Sequence, residues 1–171
     1  MPGEESFSTI AEVAVAFLGF TGVVGVFSAR AHPPAVSLRL WVMVEFGLAL
    51  LLLALLPMVL HHLGWSGDTI WASSAVATIL FLIGHAVLVV PRVVGYRRSE
   101  TWGGVPVALE VSVPVAFGAC LVSQILNLMG VGLERTHGGY LLGLYLLLTA
   151  SGLNFASLLV ALRGVPSDPD A

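Results

Sequence analysis

The sequence predicts an all-α protein, a bundle of five transmembrane helices, from its scarcity of charge, its long apolar runs and the placement of its arginines. Only 10% of its 171 residues are charged and 57% are hydrophobic. A soluble domain carries roughly 25% charged residues, because water must solvate most of its surface. So few charges cannot cover a water-exposed surface of this size, and the partner predicted for most of that surface is the lipid bilayer.

Five apolar runs are long enough to cross a bilayer, whose hydrocarbon core of about 30 Å needs roughly 20 helical residues. The connectors between them are short, and each contains glycine or proline, which favour turns. We therefore expect a single transmembrane domain over 1–171, with no separate soluble domain. The runs predict helices at about 8–28, 38–60, 69–90, 105–130 and 139–162.

All seven basic residues are arginine, and six of them mark one side of the membrane. Arg30 and Arg39 flank the first connector, and Arg135 stands alone in the fourth. The others lie in the third connector or after the last run: Arg92, Arg97, Arg98 and Arg163. The positive-inside rule places the arginine-rich side in the cytoplasm. The N-terminus is therefore predicted outside and the C-terminus in the cytoplasm, which requires an odd number of spans and agrees with five.

A cleaved signal peptide is the alternative interpretation of the first run, because residues 29–31 resemble a small-residue cleavage site ending at Ala31. However, Glu4 and Glu5 precede the run where a signal peptide is basic. The run is also as long as a full span. A transmembrane helix is therefore the favoured interpretation.

Aromatic residues near the ends of the runs are predicted to lie at the membrane boundaries, where amphipathic rings prefer to sit. Trp65, Trp71 and Tyr140 fall at the outer boundary, and Trp41 falls at the inner one. We expect each of them to anchor the bundle.

Polar and small residues within three runs share helical faces, since residues near multiples of about 3.6 apart lie on one side. The third run carries Ser74, Thr78 and His85 on one stripe. The fifth run has a seam of small and polar residues: Gly143, Ala150, Ser151, Asn154, Ser157 and Ala161. The first run has a shorter one: Glu12, Ala16 and Gly19. Ionisable groups are costly in lipid and small residues let helices approach closely, so all three faces are predicted to point inward.

Counting residues from the inner boundary predicts one polar layer on four helices. Glu45, His85 and Glu110 each come roughly 8–12 Å deep, and Asn154 comes at a similar depth. A second layer near the outer boundary is predicted from three further residues: Glu12, Gln124 and Asn127. The inner layer fits either a polar core that fixes helix register or a site that handles protons or cations.

Two prolines lie inside the runs, Pro57 in the second and Pro114 in the fourth. Each removes a backbone hydrogen bond and can bend its helix. Pro114 comes one turn after Glu110. A bend there is expected either to pack against its neighbours or to open a small cavity beside the inner layer.

Several kinds of site are disfavoured. The chain has no lysine, which excludes Schiff-base chemistry and a P-loop lysine, and its net charge of −3 argues against a nucleic-acid partner. No catalytic residue, metal site or cofactor is assigned, because His85 has no second deep histidine for haem and the single Cys120 fits a small buried hydrophobe. A surface metal site is the weaker alternative for one outer cluster: His61, His62, Asp68, Glu134 and His137.

The first run resembles the opening helix of small uncharacterised bacterial membrane proteins with several spans, through Ala11-Glu12 and the segment Ala16-Phe17-Leu18-Gly19-Phe20-Thr21-Gly22. Other residues are similar to the same pattern: Arg39, Trp71, Ser73, Ser74 and Asn127. The resemblance implies a bacterial cytoplasmic membrane and carries no activity or catalytic residue with it.

Two functions follow from these patterns. The first is a homo-oligomeric protein that moves or senses protons or small cations through the inner layer, with Glu12 at the outer mouth. The second is a structural or accessory subunit whose small-residue seams bind another membrane protein. A membrane enzyme that acts on lipid is a third possibility, which is supported only by the glutamates and the histidine of the inner layer.

Overall fold

The computed structural model describes residues 3–27, 34–98, 105–132 and 135–163. Within these ranges the chain forms five α-helices: α1 (Glu4–Phe27), α2 (Pro34–His62), α3 (Asp68–Arg98), α4 (Val107–Met129) and α5 (His137–Arg163). All five are long and apolar enough to cross a membrane, which confirms the all-α class and the five helices of spanning length among the described residues. The predicted roles of Arg30, Ala31 and Glu134 fall on residues outside the described ranges.

The predicted end of the third helix at residue 90 is wrong, because α3 continues through Pro91 to Arg98. Proline removes one backbone hydrogen bond and does not by itself end a helix whose other bonds face no competing water. Helix α2 differs from the prediction at its start, because it begins at Pro34, four residues earlier than expected. The first position of a helix suits proline, since its N–H would have no intrahelical partner there.

Helices α2 and α5 form the centre of the bundle. Helix α5 contacts all four others, and α2 contacts α1, α3 and α5. Helix α1 lies along α2, and their backbones approach closely at Gly47, where a Cβ atom would come within 2.8 Å of Cγ of Leu18. The arginine-bearing end of the bundle is the end at which α2 and α4 begin.

A buried tyrosine joins α5 to the proline bend of α2. Pro57 has no N–H, so the carbonyl of Leu53 one turn earlier loses its helical donor. The hydroxyl of Tyr140 donates to that carbonyl oxygen over 2.7 Å. Tyr140 therefore stabilises the bend, and its predicted role as a boundary anchor is wrong.

Of the other three predicted anchors, one is buried and two are exposed. Trp71 is also buried, stacked at 6.0 Å between ring centroids on Phe7, because an aromatic cluster fills the end of the bundle opposite the arginines. Trp41 and Trp65 remain exposed, as expected for residues at a boundary.

Two of the three predicted inward faces are confirmed. Ser74, Thr78 and His85 are all buried on α3. The α5 seam is buried at five positions and half-buried at the sixth: Gly143, Ala150, Ser151, Asn154, Ser157 and Ala161.

The predicted inward face of α1 is wrong. Glu12, Ala16 and Gly19 are exposed on the outside of the bundle. The helix instead buries a face with larger apolar side chains: Phe7, Ile10 and Ala14. Glu12 lies opposite Ala14, since two residues turn the helix by about 200°. Burial of aromatic and aliphatic area thus decides which face of α1 contacts the bundle.

Candidate functional site

A cavity of about 320 Å³ lies among α2, α3, α4 and α5 near the arginine-bearing end of the bundle. Its polar wall residues come from all four helices: Arg39, His85, Glu110, Asn154 and Ser157. The rest of the wall is apolar, with valine and phenylalanine most frequent. We call it the Arg39 cavity.

The Glu45 carboxylate and the His85 imidazole lie side by side beside this cavity, and they form an ion pair when the histidine is protonated. The Nδ1 atom of His85 lies 3.0 Å from Oε1 of Glu45, within hydrogen-bonding distance, although the two groups are not aligned for a straight bond. The second carboxylate oxygen of Glu45 is buried and has no hydrogen-bond partner among the described residues. The two side chains therefore lie in contact, while one oxygen of Glu45 keeps unused hydrogen-bonding capacity.

Three phenylalanines surround the imidazole of His85. Its ring centroid lies 4.7 Å from that of Phe46, 5.2 Å from that of Phe117 and 5.9 Å from that of Phe81. These rings exclude water from most of the imidazole, so the interaction with Glu45 takes place in a low dielectric.

The second ion pair spans the cavity wall. Nη2 of Arg39 lies 4.0 Å from Oε1 of Glu110, and the two side chains are only 6% and 13% exposed. The amide of Asn154 donates to the backbone carbonyl oxygen of Arg39 over 3.5 Å. Helices α2, α4 and α5 are thereby joined at one depth.

The proline of α4 lies in the same wall. Pro114 lines the cavity and, having no N–H, cannot donate to the carbonyl of Glu110 one turn earlier. A cavity thus lies beside this proline, and Glu110 is in its wall.

The predicted inner layer is assembled in the fold. His85, Glu110 and Asn154 line the Arg39 cavity, and Glu45 reaches it through His85. Sequence reasoning missed Arg39 as a member, since it counted that residue as a boundary charge. A signal was present: Arg39, Val42 and Phe46 lie at helical spacing on one face of α2, and that face is buried.

The predicted outer layer is assembled only in part. Gln124 and Asn127 are fully buried, but Glu12 is exposed on the outside of the bundle. The Gln124 amide approaches the carbonyl oxygens of Gly139 and Tyr140 at 3.4 Å. Neither Gln124 nor Asn127 belongs to the wall of the Arg39 cavity.

The outer histidine cluster shows no metal geometry in the part of the chain that the structure describes. Nδ1 of His62 lies 2.7 Å from the carbonyl oxygen of Met58, an interaction within one helix. No group of three or more histidine, cysteine, aspartate or glutamate side chains among the described residues is arranged to hold an ion. Cys120 is buried, as expected, with its thiol directed at the carbonyl oxygen of Gly143 over 3.1 Å.

The site combines two kinds of ionisable group. Glu45, Glu110 and His85 can each take up or release a proton, whereas the Arg39 guanidinium stays charged. In a cavity of low polarity these groups interact strongly with one another and weakly with bulk water. The arrangement therefore suits proton binding better than binding of a metal cation, which Arg39 would repel.

Comparison of the chain with protein-family models, with curated proteins and with solved structures finds no match. The resemblance to small bacterial membrane proteins accordingly stays a prediction.

Proposed function

We propose that this chain is a multi-pass protein of the bacterial cytoplasmic membrane that moves or senses protons through Glu45, His85 and Glu110. In this proposal the N-terminus is outside and the arginine-bearing end of the bundle faces the cytoplasm. The observation that carries the proposal is the convergence of the Arg39–Glu110 ion pair and the His85–Glu45 pair on one cavity inside five helices of membrane-spanning length. Ionisable residues at such depth are costly, so a function is the default interpretation of them.

We further propose protons, rather than small cations, as the species that moves. Arg39 places a permanent positive charge in the cavity wall, 4.0 Å from Glu110. A metal cation would have to displace or neutralise that guanidinium, whereas a proton needs only a carboxylate or an imidazole. We propose Gln124 and Asn127 for the outer part of the proton path. Glu12 is not part of that path, because it is exposed on the outside of the bundle.

Proton flux into liposomes tests the proposal. We expect purified wild-type protein to carry protons faster than empty liposomes under a potassium diffusion potential, read with an internal pH dye. Glu45→Gln and Glu110→Gln should each lower this flux several-fold, because an amide cannot take up the proton. Glu12→Gln is the matched control, since it makes the same chemical change on the outside of the bundle.

Equal flux from wild-type protein and from both interior variants would refute proton movement. An equal loss in the Glu12→Gln control would refute the assignment to the cavity. Size-exclusion profiles of all four proteins separate these results from misfolding.

We also propose that the protein is a homo-oligomer and that α1 supplies the contact. Glu12, Ala16 and Gly19 lie exposed on one outer face, and Glu12 comes about 12 Å along the axis from the start of the helix. A carboxylate facing lipid at that depth favours a partner helix, and small residues beside it let one approach. The alternative function, an accessory subunit of a larger membrane complex, is supported by this same face.

A further inference from the structure

The wall of the Arg39 cavity is exposed where α3 and α4 form it. The wall residues contributed by α2 and α5 are all buried. The exposed ones belong to α3 and α4: Val90, Val94 and Pro114. Helices α2 and α5 therefore form the floor of the cavity, and α3 and α4 form its mouth.

The mouth and the floor differ in chemistry. The mouth is apolar and is lined by valines of both helices together with Pro114. The floor presents the Arg39 guanidinium and the Asn154 amide, with Glu110 opposite Arg39. A molecule that enters between two spanning helices comes from the hydrocarbon, so it must be lipid-soluble, while its inner end meets hydrogen-bonding groups.

The charges on the floor favour an uncharged head group. Arg39 and Glu110 are 4.0 Å apart and together carry no net charge. An anion would be attracted by one of them and repelled by the other, and so would a cation. A hydroxyl or carbonyl oxygen can instead accept from the N–H groups of Arg39 or Asn154 without disturbing that balance.

The volume limits how much of the ligand the cavity holds. A cavity of about 320 Å³ is at the small end of ligand pockets. At about 30 Å³ for each water-sized group it accommodates roughly ten heavy atoms. A head group and the first part of a chain would fill it, and the remaining chain would pass through the mouth into the bilayer.

We propose that the Arg39 cavity binds an uncharged single-chain amphiphile from the membrane, with its hydroxyl or carbonyl head on the floor and its chain between α3 and α4. The inference rests on the membrane placement in the proposed function but not on proton movement.

Photo-crosslinking with hexadecanol that carries a diazirine near its head tests this site in phosphatidylcholine liposomes. We expect adducts on the mouth segments 89–94 and 113–117, mapped by mass spectrometry. Ala86→Phe should reduce them several-fold, because Ala86 lines the cavity and a benzyl group there fills it. Val87→Phe is the matched control, since Val87 is 67% exposed on the same helix and is not in the wall.

Val113→Phe fills the cavity from α4 and should reduce labelling as Ala86→Phe does, so that misfolding of one variant leaves a second test. Unlabelled hexadecanol should compete and hexadecane should not. Labelling spread over all outer faces, labelling unchanged in both filling variants, or equal competition by hexadecane would overturn the proposal. Stronger competition by palmitate than by hexadecanol would overturn the uncharged head group.

The proton proposal and the ligand proposal can each be refuted without refuting the other. Crosslinking needs no ion gradient, so loss of flux in Glu45→Gln with labelling retained supports the ligand site on its own. Flux without specific labelling overturns the ligand site and leaves proton movement in place.

Discussion

Arg39 and Glu110 face each other between α2 and α4 with little water around either side chain. A single charge inside a bundle of spanning helices costs several kcal/mol when nothing compensates it. Each of these two residues therefore helps to stabilise the buried charge of the other. The pair need not be strongly stabilising as a unit, since desolvation of both charges offsets much of their attraction.

We predict that breaking this pair costs more than removing it. Arg39→Met and Glu110→Leu should each lower the free energy of unfolding by about 3–5 kcal/mol, because each removes the oppositely charged partner of a buried charge. The double variant should recover most of that loss. Thermal unfolding of the detergent-solubilised protein measures the cycle, with Arg92→Met on the exposed surface of α3 as control.

Additive losses in the double variant would contradict mutual compensation, because they would mean that each side chain acts through other contacts. An Arg92→Met loss as large as that of Arg39→Met would show that any arginine in this region is equally important.

At the residue scale, sequence reasoning placed residues in the interior correctly where two criteria agreed. These are the cost of a polar group in lipid and the side of the helix that the helical period assigns to it. His85, Glu110 and Asn154 are expensive in lipid and lie on faces that the helical period assigns to the interior, and the fold buries or half-buries all three. Glu12 was misplaced because small residues on its face suggested contact, while Phe7 on the opposite face buries more area. Arg39 was missed because an arginine near a connector satisfies the positive-inside rule without any partner.

At the scale of helices, the proline of α2 is paired with a hydroxyl from α5. Tyr140 is completely buried and donates to the carbonyl oxygen of Leu53, which is the acceptor that Pro57 leaves without a helical donor. An orphaned carbonyl inside a bilayer is costly, and a neighbouring helix can supply the missing donor. No period or run length in the sequence connects residues 57 and 140, so this contact was not predictable from either helix alone.

We predict that the loss of the Tyr140 hydroxyl depends on the proline. Tyr140→Phe should lower the free energy of unfolding by about 1–3 kcal/mol, because it leaves the Leu53 carbonyl unsatisfied. In a Pro57→Ala background the same change should cost less, since the N–H restored at position 57 can bond that carbonyl. Thermal unfolding of the four proteins gives the coupling, and Tyr145→Phe on the exposed face of α5 is the control.

Equal losses with and without the proline would show that the hydroxyl acts elsewhere. Thr78 is one candidate for that role, because its hydroxyl lies close to that of Tyr140.

At the scale of the whole molecule, the distribution of side chains is the reverse of a soluble protein. Large aliphatic side chains are exposed on every helix, while His85, Gln124, both described asparagines and several hydroxyl side chains are buried. In water such a surface would aggregate, whereas in lipid it needs no cover. Run length and composition were sufficient to predict the five helices, because the bilayer fixes the length that each one needs.

The outer face of α1 is the exception to this distribution, since Glu12 lies there among small residues. We predict that a second copy of the chain packs on this face. Ala16→Cys, in a Cys120→Ala background, should form a disulfide-linked dimer when protein in liposomes is oxidised with copper phenanthroline. Val122→Cys is the control, because Val122 is 55% exposed on α4, away from that face.

Adding Gly19→Leu to Ala16→Cys should reduce the dimer, because a leucine side chain keeps two helix backbones apart where open space now lies beside Gly19. Equal crosslinking of Ala16→Cys and Val122→Cys would indicate random collision and contradict the contact. No crosslinking at either position, together with a stable complex between this chain and another membrane protein, would assign the α1 face to the accessory-subunit alternative. The position of Glu12 outside the cavity would then be explained by that partner.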